Sequence, residues 1–349
     1  MKRGWKILVA GTILAAAFRS AGAAETSEPL LEAFRKNLKK DYMSVGVLLQ
    51  FVFDFQNERV LEGTNGFSVA NARVRISGDF DRGFGYFLQT SFTSSPAVLD
   101  AAMHYRVRPS LRARIGQFKA PFSKELLTSA ADIDFVNRAR FVSALAPGRQ
   151  IGLEMSGAAA GDALQYHAGV FNGNGTAANG NDGSFLYAGR LAFFPDAWNG
   201  DGADRSFEFG VGAAFSEDRA ARILGGLIPA YRGERILYGA DIRMRRGPLL
   251  LAGEWAGAKL DPDARRESEP WGFHATAGWM VKPSAQILAR WDRLDLDGAV
   301  PGGSSSNEIV LGMNVWPTGA TEVQFNYIVN PDDADVDRNQ VLLNAQIAF

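Results

Sequence analysis

The chain has 349 residues, with 37 Lys or Arg against 38 Asp or Glu, so its formal net charge is only −1. It contains no cysteine, which excludes a disulfide framework and thiol chemistry. The charge balance also argues against a globally basic nucleic-acid binder, so no nucleic-acid partner is predicted. Any preference for anions must therefore come from local segregation of charge.

The first residues have the pattern of a secretory signal peptide. Three basic residues accompany the start of an apolar run at 7–18, and the small residues at 21–24 offer cleavage sites before Ala24 or Glu25. The apolar run is shorter than the roughly 20 residues that a membrane-spanning helix needs. We therefore predict a cleaved signal peptide over residues 1–24 and an exported mature protein.

Residues 25–43 differ from the segments on either side. Leu30, Leu31, Phe34 and Leu38 recur there at helical spacing among charged residues. This pattern predicts a short amphipathic helix or a disordered leader on the periplasmic side.

From Ser44 onward, apolar and polar residues alternate almost everywhere. In the segment 44–56 every odd position is Val, Leu or Phe, and most even positions are polar or small. A period of two predicts strands with one apolar face. Most of these segments have the roughly 9–11 residues, or slightly more, that a tilted strand needs to cross a bilayer. The sixteen predicted strands are 44–56, 67–80, 84–93, 98–108, 111–118, 150–158, 163–171, 184–194, 206–215, 234–245, 249–258, 271–281, 285–293, 306–316, 320–330 and 337–349.

The connections between the predicted strands alternate in character. One set is mostly tight, as at 81–83 and 109–110, and the other is mostly longer and polar, as at 172–183 and 216–233. Two connections break the alternation, but short turns on one side and long loops on the other are typical of outer-membrane barrels. Only helices and closed barrels satisfy the backbone in lipid. The sequence thus predicts an all-β fold, a transmembrane antiparallel β-barrel of about 16 strands over residues 44–349.

The last predicted strand ends on an aromatic residue. Counting back in twos from Phe349 to Val341 gives only apolar residues, whereas Asn344 and Gln346 belong to the other face. We expect the first face to contact lipid and the second to face the lumen. Bacterial outer-membrane barrels typically end on such a strand, so this resemblance implies the outer membrane as the location and its lipid as a partner.

Residues 119–149 form the longest interval without clean alternation and, by the strand count, the third outside loop. The sequence around them reads GQFKAPFS from Gly116 and APGRQIG from Ala146. With the flanking segments between Asn65 and Gly175, these stretches resemble the phosphate-selective porin O and P family. The resemblance implies a third loop that folds inward and narrows the lumen, a homotrimer, and a passive diffusion channel for small anions such as phosphate or polyphosphate.

Several cations have lumen parity on neighbouring strands of the region around this loop. The acidic residues of the same parity there are only Asp79 and Asp100. Planar guanidinium groups suit phosphate because they donate to two of its oxygens at once. The predicted pore-lining and anion-binding residues are Arg73, Arg75, Arg106, Arg108, Arg112, Arg114, Lys119, Lys124, Arg138, Arg140 and Arg149.

The opposite wall leaves a less selective channel open. It carries acids of lumen parity beside five arginines, and a transverse field across a general porin for small hydrophilic solutes fits this distribution equally well. The acids are Glu154, Glu208, Asp241, Glu254, Asp292, Glu308 and Glu322.

Two further classes are less favoured. An outer-membrane receptor or adhesin would use the outside loops, and the absence of conductance in planar bilayers would favour it. An enzyme is not predicted, since His104, His167 and His274 all have lumen parity and no catalytic motif stands out. No cofactor or metal site is predicted.

Overall fold

The computed structural model describes residues 43–59, 65–93, 95–176, 183–195, 205–264, 266–301, 303 and 305–349. The predicted signal peptide over 1–24 lies outside the described residues, and so does the predicted leader except for Met43. Both therefore stay predictions from the sequence.

The described residues form sixteen strands in chain order, and the alternating sequence explains each of them. They are β1 (Ser44–Gln56), β2 (Gly66–Asp79), β3 (Phe84–Ser91), β4 (Ala97–Arg108), β5 (Leu111–Lys119), β6 (Arg149–Ala159), β7 (Leu164–Phe171), β8 (Leu186–Phe193), β9 (Arg205–Ile223), β10 (Ile228–Arg246), β11 (Leu249–Pro262), β12 (Trp271–Lys282), β13 (Ala285–Asp295), β14 (Ser306–Thr318), β15 (Thr321–Val329) and β16 (Gln340–Ala348).

The sheet closes on itself, because β1 pairs antiparallel with both β2 and β16. At the closing seam Gln50 lies opposite Gln346 and Gln56 lies opposite Gln340. Closure leaves no strand edge, so the backbone groups can be satisfied within a membrane. This arrangement confirms the predicted sixteen-stranded antiparallel barrel.

The two faces of the wall differ as the alternation predicted. In β16 the side chains of Leu342, Asn344 and Gln346 are buried, whereas Ala345 and Ile347 are exposed on the outside. An outer wall of exposed apolar side chains suits contact with hydrocarbon. Among the described residues, no helix reaches the length and hydrophobicity needed to cross a membrane.

Strands β9 and β10 are much longer than predicted, with 19 residues each. The sequence predicted a loop over 216–233, but the hairpin continues through most of that range, with Ser216 and Asp218 buried and Glu217 exposed. Polar residues occupy both faces here because the hairpin extends beyond the apolar band. The period-two signal of a membrane strand is therefore lost.

The connection between β5 and β6 folds into the barrel, as the resemblance implied. We call residues 120–148 the constriction loop. It contains two short helices, α1 (Lys124–Leu127) and α2 (Arg140–Leu145). Helix α1 begins after Ser123, whose Oγ accepts a hydrogen bond from the amide of Leu126 at 3.0 Å. Helix α2 buries its apolar side chains against the lumen wall, so the loop is part of a packed core.

Candidate functional site

Glycines on the lumen face allow the constriction loop to lie directly on the wall. A Cβ added to Gly212 in β9 would lie 2.4 Å from the carbonyl oxygen of Phe122, and one added to Gly272 in β12 would lie 2.3 Å from Cβ of Phe141. Atoms that are not bonded to each other do not approach so closely. Only glycine therefore permits the backbone and side chains of the loop to pack at these two positions.

A row of buried amides holds the middle of the loop. Gln324 Nε2 donates to the carbonyl of Ile133 at 3.0 Å, and Asn314 Nδ2 donates to the carbonyl of Asp134 at 2.8 Å. Each bond satisfies a wall group and a loop group together, which matters because an unpaired buried polar group costs about 1–3 kcal/mol. The amides that donate to carbonyls of the loop in this way are Gln50, Asn314, Gln324 and Gln346.

Wall carboxylates hold the two short helices by their first turns. Glu254 Oε2 accepts a hydrogen bond from the amide of Glu125 at 2.9 Å, and Asp292 Oδ2 accepts one from the amide of Arg140 at 2.9 Å. Free backbone amides at the start of a helix favour a negative partner. These two acids therefore anchor the loop.

Other acids of the same wall are paired with cations. The pairing register places five ionisable residues side by side on strands β10 to β14: Asp241, Glu254, His274, Asp292 and Glu308. Asp241 lies against Arg190, whose Nη2 donates to its Oδ1 at 2.9 Å. The acidic wall is thus covered by the loop and compensated by hydrogen bonds and ion pairs.

The cations near strands β2 to β6 have a different environment. Lys119 and Arg149 lie directly opposite each other across β5 and β6. Lys119 Nζ and Arg138 Nη2 both donate to the carbonyl oxygen of Thr128, at 2.9 and 2.6 Å. A backbone carbonyl orients these two side chains and brings no opposite charge to them.

One carboxylate accompanies this group. Asp100 accepts two hydrogen bonds from Arg149, at 3.1 and 3.0 Å. Arg73 makes no hydrogen bond or ion pair with the described residues, and the charges of Arg138 and Arg149 act on it. We call Arg73, Lys119, Arg138 and Arg149 the basic cluster. Four basic side chains and one carboxylate give it a formal net charge of +3.

Burial and, to a smaller extent, a neighbouring cation both act on the charge of Arg138. Burial lowers the pKa of this guanidinium from its usual value; Glu125 opposes that shift and Arg149 adds to it. Because a free guanidinium has a pKa above about 12, the group remains charged at neutral pH. The constriction loop therefore holds a cation beside other cations.

Besides Arg149 of the basic cluster, three of the predicted anion-binding residues are ion-paired. Arg114 Nη2 lies 2.9 Å from Glu154 Oε1, and its guanidinium lies over the ring of Phe118 at 3.8 Å. The other two pairs are Lys124 with Glu208 and Arg140 with Glu308. These three cations pair with acids and thereby stabilise the packing of the wall and the loop, which leaves less of their charge to attract a solute.

The remaining four predicted residues lie nearer the end where β1 begins and β16 ends. Arg75, Arg106 and Arg112 are exposed, and Arg106 lies opposite Arg112. Arg108 follows a register shift that places it opposite Leu111, a residue of the outward parity of β5. The structure therefore does not bring these four into the basic cluster.

The larger cavity of the lumen lies beside part of the basic cluster. A cavity of about 1020 Å³ lies beside the constriction loop, with Arg73 and Arg138 among its lining residues. Between the loop and strands β10 to β13 the cavity is only about 240 Å³. The larger of these two cavities is therefore lined by two members of the basic cluster and by the ion pair of Arg140 with Glu308.

The sequence did not reveal the residues that seat the loop. Gly212, Gly272, Asn314 and Gln324 share the lumen parity of the charged residues around them. Small and neutral residues at such positions were the available signal, because a water-filled lumen alone does not require them.

A closed sixteen-stranded barrel with an inward-folded loop defines a porin of the bacterial outer membrane. The family model described as phosphate-selective porin O and P matches residues 45–346. The chain belongs to this family, whose members are channels.

Solved structures of porins have the same fold. The anion-selective porin from Comamonas acidovorans is similar with a TM-score of 0.64 and 17% identity, covering 88% of this chain and 99% of that one. The loop L8 deletion mutant of OmpT from Vibrio cholerae has a TM-score of 0.62 and 11% identity, with 88% and 99% covered. The channel DcaP of Acinetobacter baumannii gives 0.58 and 10%, with 89% and 99% covered. No curated protein sequence matches the chain.

Proposed function

We propose that this porin conducts small anions through the side of the lumen that the constriction loop leaves open. The observation that carries the proposal is that the two sides of the lumen differ in how far their charges are paired with opposite charges. The basic cluster has a formal net charge of +3, whereas six of the seven acids of the opposite wall bind the loop or cations, and the seventh, Glu322, accepts a hydrogen bond from Gln346. Charges at a narrow, partly dehydrated passage act on a solute far more strongly than charges in bulk water.

Phosphate is the anion that the cluster suits best. Arg73 has donors free of any described protein partner, and a guanidinium can donate to two phosphate oxygens at once. The family description supports the same solute. Because Lys119 and Arg138 keep their carbonyl partners, their attraction for an anion is limited, which permits release as well as binding.

The test is selectivity in planar bilayers. The reversal potential in a KCl gradient should show anion preference, and Arg73→Gln combined with Lys119→Gln should reduce the permeability ratio of anion to cation. Arg232→Gln, an exposed residue of the β10 extension, is the matched control and should leave it unchanged. An unchanged ratio in the cluster variant would refute this path.

A second measurement separates phosphate from anions in general. Inorganic phosphate added to the chloride solution should reduce the chloride current of the wild type at concentrations well below that of chloride. The Arg73→Gln variant should need more phosphate for the same reduction. If phosphate did not reduce the chloride current, the protein would be a less selective channel without a preference for phosphate.

We also propose a homotrimer. One of the similar structures is a trimer form of OmpT, and the exposed apolar outer wall of this barrel could serve a neighbouring copy as well as lipid. Native mass spectrometry of protein extracted from membranes should give three times the monomer mass. A monomer at every detergent concentration would refute the proposal.

A further inference from the structure

The lipid-facing wall has a band of aromatic side chains near its periplasmic end. The tight turns lie at this end, where β1 begins and β16 ends. Phe84, Tyr105 and Trp279 are exposed there, and the rings of Phe84 and Tyr105 are 4.5 Å apart. Because such aromatic rings lie at the membrane interface, residues just beyond them lie at the depth of the lipid headgroups.

Four exposed cations lie just beyond this band. Arg82 precedes Phe84 by two residues, and Lys282 follows Trp279 by three. Arg82 lies in the turn 81–83 that leads into β3. With a rise of about 3.3 Å per residue, the strand spacing places Lys282 about 10 Å past the ring of Trp279. Arg108 and Arg246 lie at the ends of β4 and β10. We call Arg82, Arg108, Arg246 and Lys282 the periplasmic collar.

The register directs two members of the collar outward. Arg108 lies opposite Leu111, and Arg246 lies opposite Leu249. Both leucines belong to the parity that faces lipid on β5 and β11, where Leu251 is an exposed member. Paired residues of neighbouring strands point to the same face, so these arginines face the membrane side of the barrel.

The collar is uncompensated within the described residues. None of its four side chains forms a hydrogen bond or ion pair there. Asp79, an exposed acid at the end of β2, is already paired with His104 at 2.9 Å. Long cationic side chains at this depth can reach headgroup oxygens while their aliphatic stems stay on apolar surface.

The extracellular edge has a mixed charge. Glu217 lies two residues beyond exposed Phe215 on β9, where the collar would have a cation. On β13 the half-buried Arg293 has Asp295 at 3.8 Å. The extracellular edge therefore combines acids and paired cations with the exposed Arg222 and Arg232, which lie farther out on the hairpin of β9 and β10.

We propose that the periplasmic collar binds the phosphate-bearing headgroups of anionic phospholipids in the periplasmic leaflet. Cations near an anionic membrane surface are attracted to it, and several acting together give a measurable lipid preference. The bound lipids fix the depth of the barrel and form part of its assembled state. This surface is separate from the lumen and does not rest on the proposed anion selectivity.

The test counts lipids that remain bound. Porin reconstituted in vesicles of equal phosphatidylglycerol and phosphatidylcholine is extracted gently and analysed by native mass spectrometry. We expect phosphatidylglycerol to exceed phosphatidylcholine by about threefold in the bound lipid. The variant Arg82→Ser/Arg108→Ser/Arg246→Ser/Lys282→Ser should lower this ratio to near one without changing the reversal potential at about 1 M salt, where charges at the mouth are screened.

The matched control removes four cations at the extracellular end: Arg222→Ser, Arg232→Ser, Lys259→Ser and Arg293→Ser. It should keep the lipid preference. Equal preference in the collar variant and the wild type would overturn the proposal, as would equal loss in the control. Full competition by inorganic phosphate would also overturn it, since the collar would then be a site for the free ion. If the fourfold variant does not insert, Arg82→Ser and Lys282→Ser alone should each give a partial loss.

Discussion

The two sides of the lumen use charge in different ways. On strands β8 to β14, carboxylates such as Glu254 and Asp292 accept hydrogen bonds from the constriction loop and are removed from the path. Near strands β2 to β6, Lys119 and Arg138 are oriented by the neutral carbonyl of Thr128. The number of lumen charges of each sign therefore says little about selectivity, because what matters is which charges the protein has left uncompensated.

The largest effect should come from separating the loop from the covered side. In Gly272→Val, the new side chain would overlap Phe141, which is fully buried. Forcing extra atoms into a packed core costs about 1–3 kcal/mol. We expect a lower thermal unfolding midpoint and an altered single-channel conductance.

Gly319→Ala is the control for this experiment, because nothing lies within 4 Å of an added Cβ at that turn. It should behave like the wild type in both measurements. A Gly272→Val channel with unchanged conductance and midpoint would mean that α2 does not depend on close contact with β12.

The next prediction compares one charge from each side directly. Arg73→Gln removes a cation that has no described partner, and Glu308→Gln removes an acid that pairs with Arg140. We expect Arg73→Gln to lower the anion-to-cation permeability ratio by roughly threefold, because its field is not cancelled locally. Glu308→Gln should change the ratio much less. Equal and opposite shifts in reversal potential would show that compensation does not matter.

The period-two pattern predicted the barrel because the membrane imposes the same local rule on every strand. In β16, for example, the buried Asn344 and exposed Ile347 follow from parity alone. The alternation is lost in the parts of the strands that extend beyond the lipid. The outer halves of β9 and β10 have polar residues on both faces, so residues such as Glu217 concealed a strand that the structure shows plainly.

The alternation could not predict whether each cation is paired with an acid or left without an opposite charge. The sequence does not distinguish Lys124 from Lys119, since both belong to the predicted third loop over 119–149. Lys124 pairs with Glu208, which comes from β9, whereas Lys119 donates to a carbonyl of the loop itself. Pairings between segments so far apart depend on how the loop crosses the lumen, and no local pattern records that path.

A smaller and opposite effect is expected at Asp100. Asp100→Asn would remove the one carboxylate of the described residues that forms an ion pair with the basic cluster and would raise its formal net charge from +3 to +4. Anions should then bind more tightly and leave more slowly. Phosphate should block chloride current at a lower concentration, by about twofold to threefold. A higher blocking concentration would mean that Arg149 needs Asp100 to hold a productive orientation.

The smallest effect belongs to the exposed arginines at the periplasmic mouth. Arg112 lies opposite Arg106 and is exposed to solvent, where salt screens charges beyond about 10 Å at 0.1 M. Arg112→Gln should therefore lower anion preference only at low salt, with no detectable change at about 1 M, where the screening length is about 3 Å. Arg73→Gln should retain its effect over the same range, because the basic cluster acts at short distance within the constriction. Measuring both reversal potentials across this salt series separates a field at the mouth from binding at the cluster, and a salt-independent Arg112→Gln effect would extend the anion path to the periplasmic end.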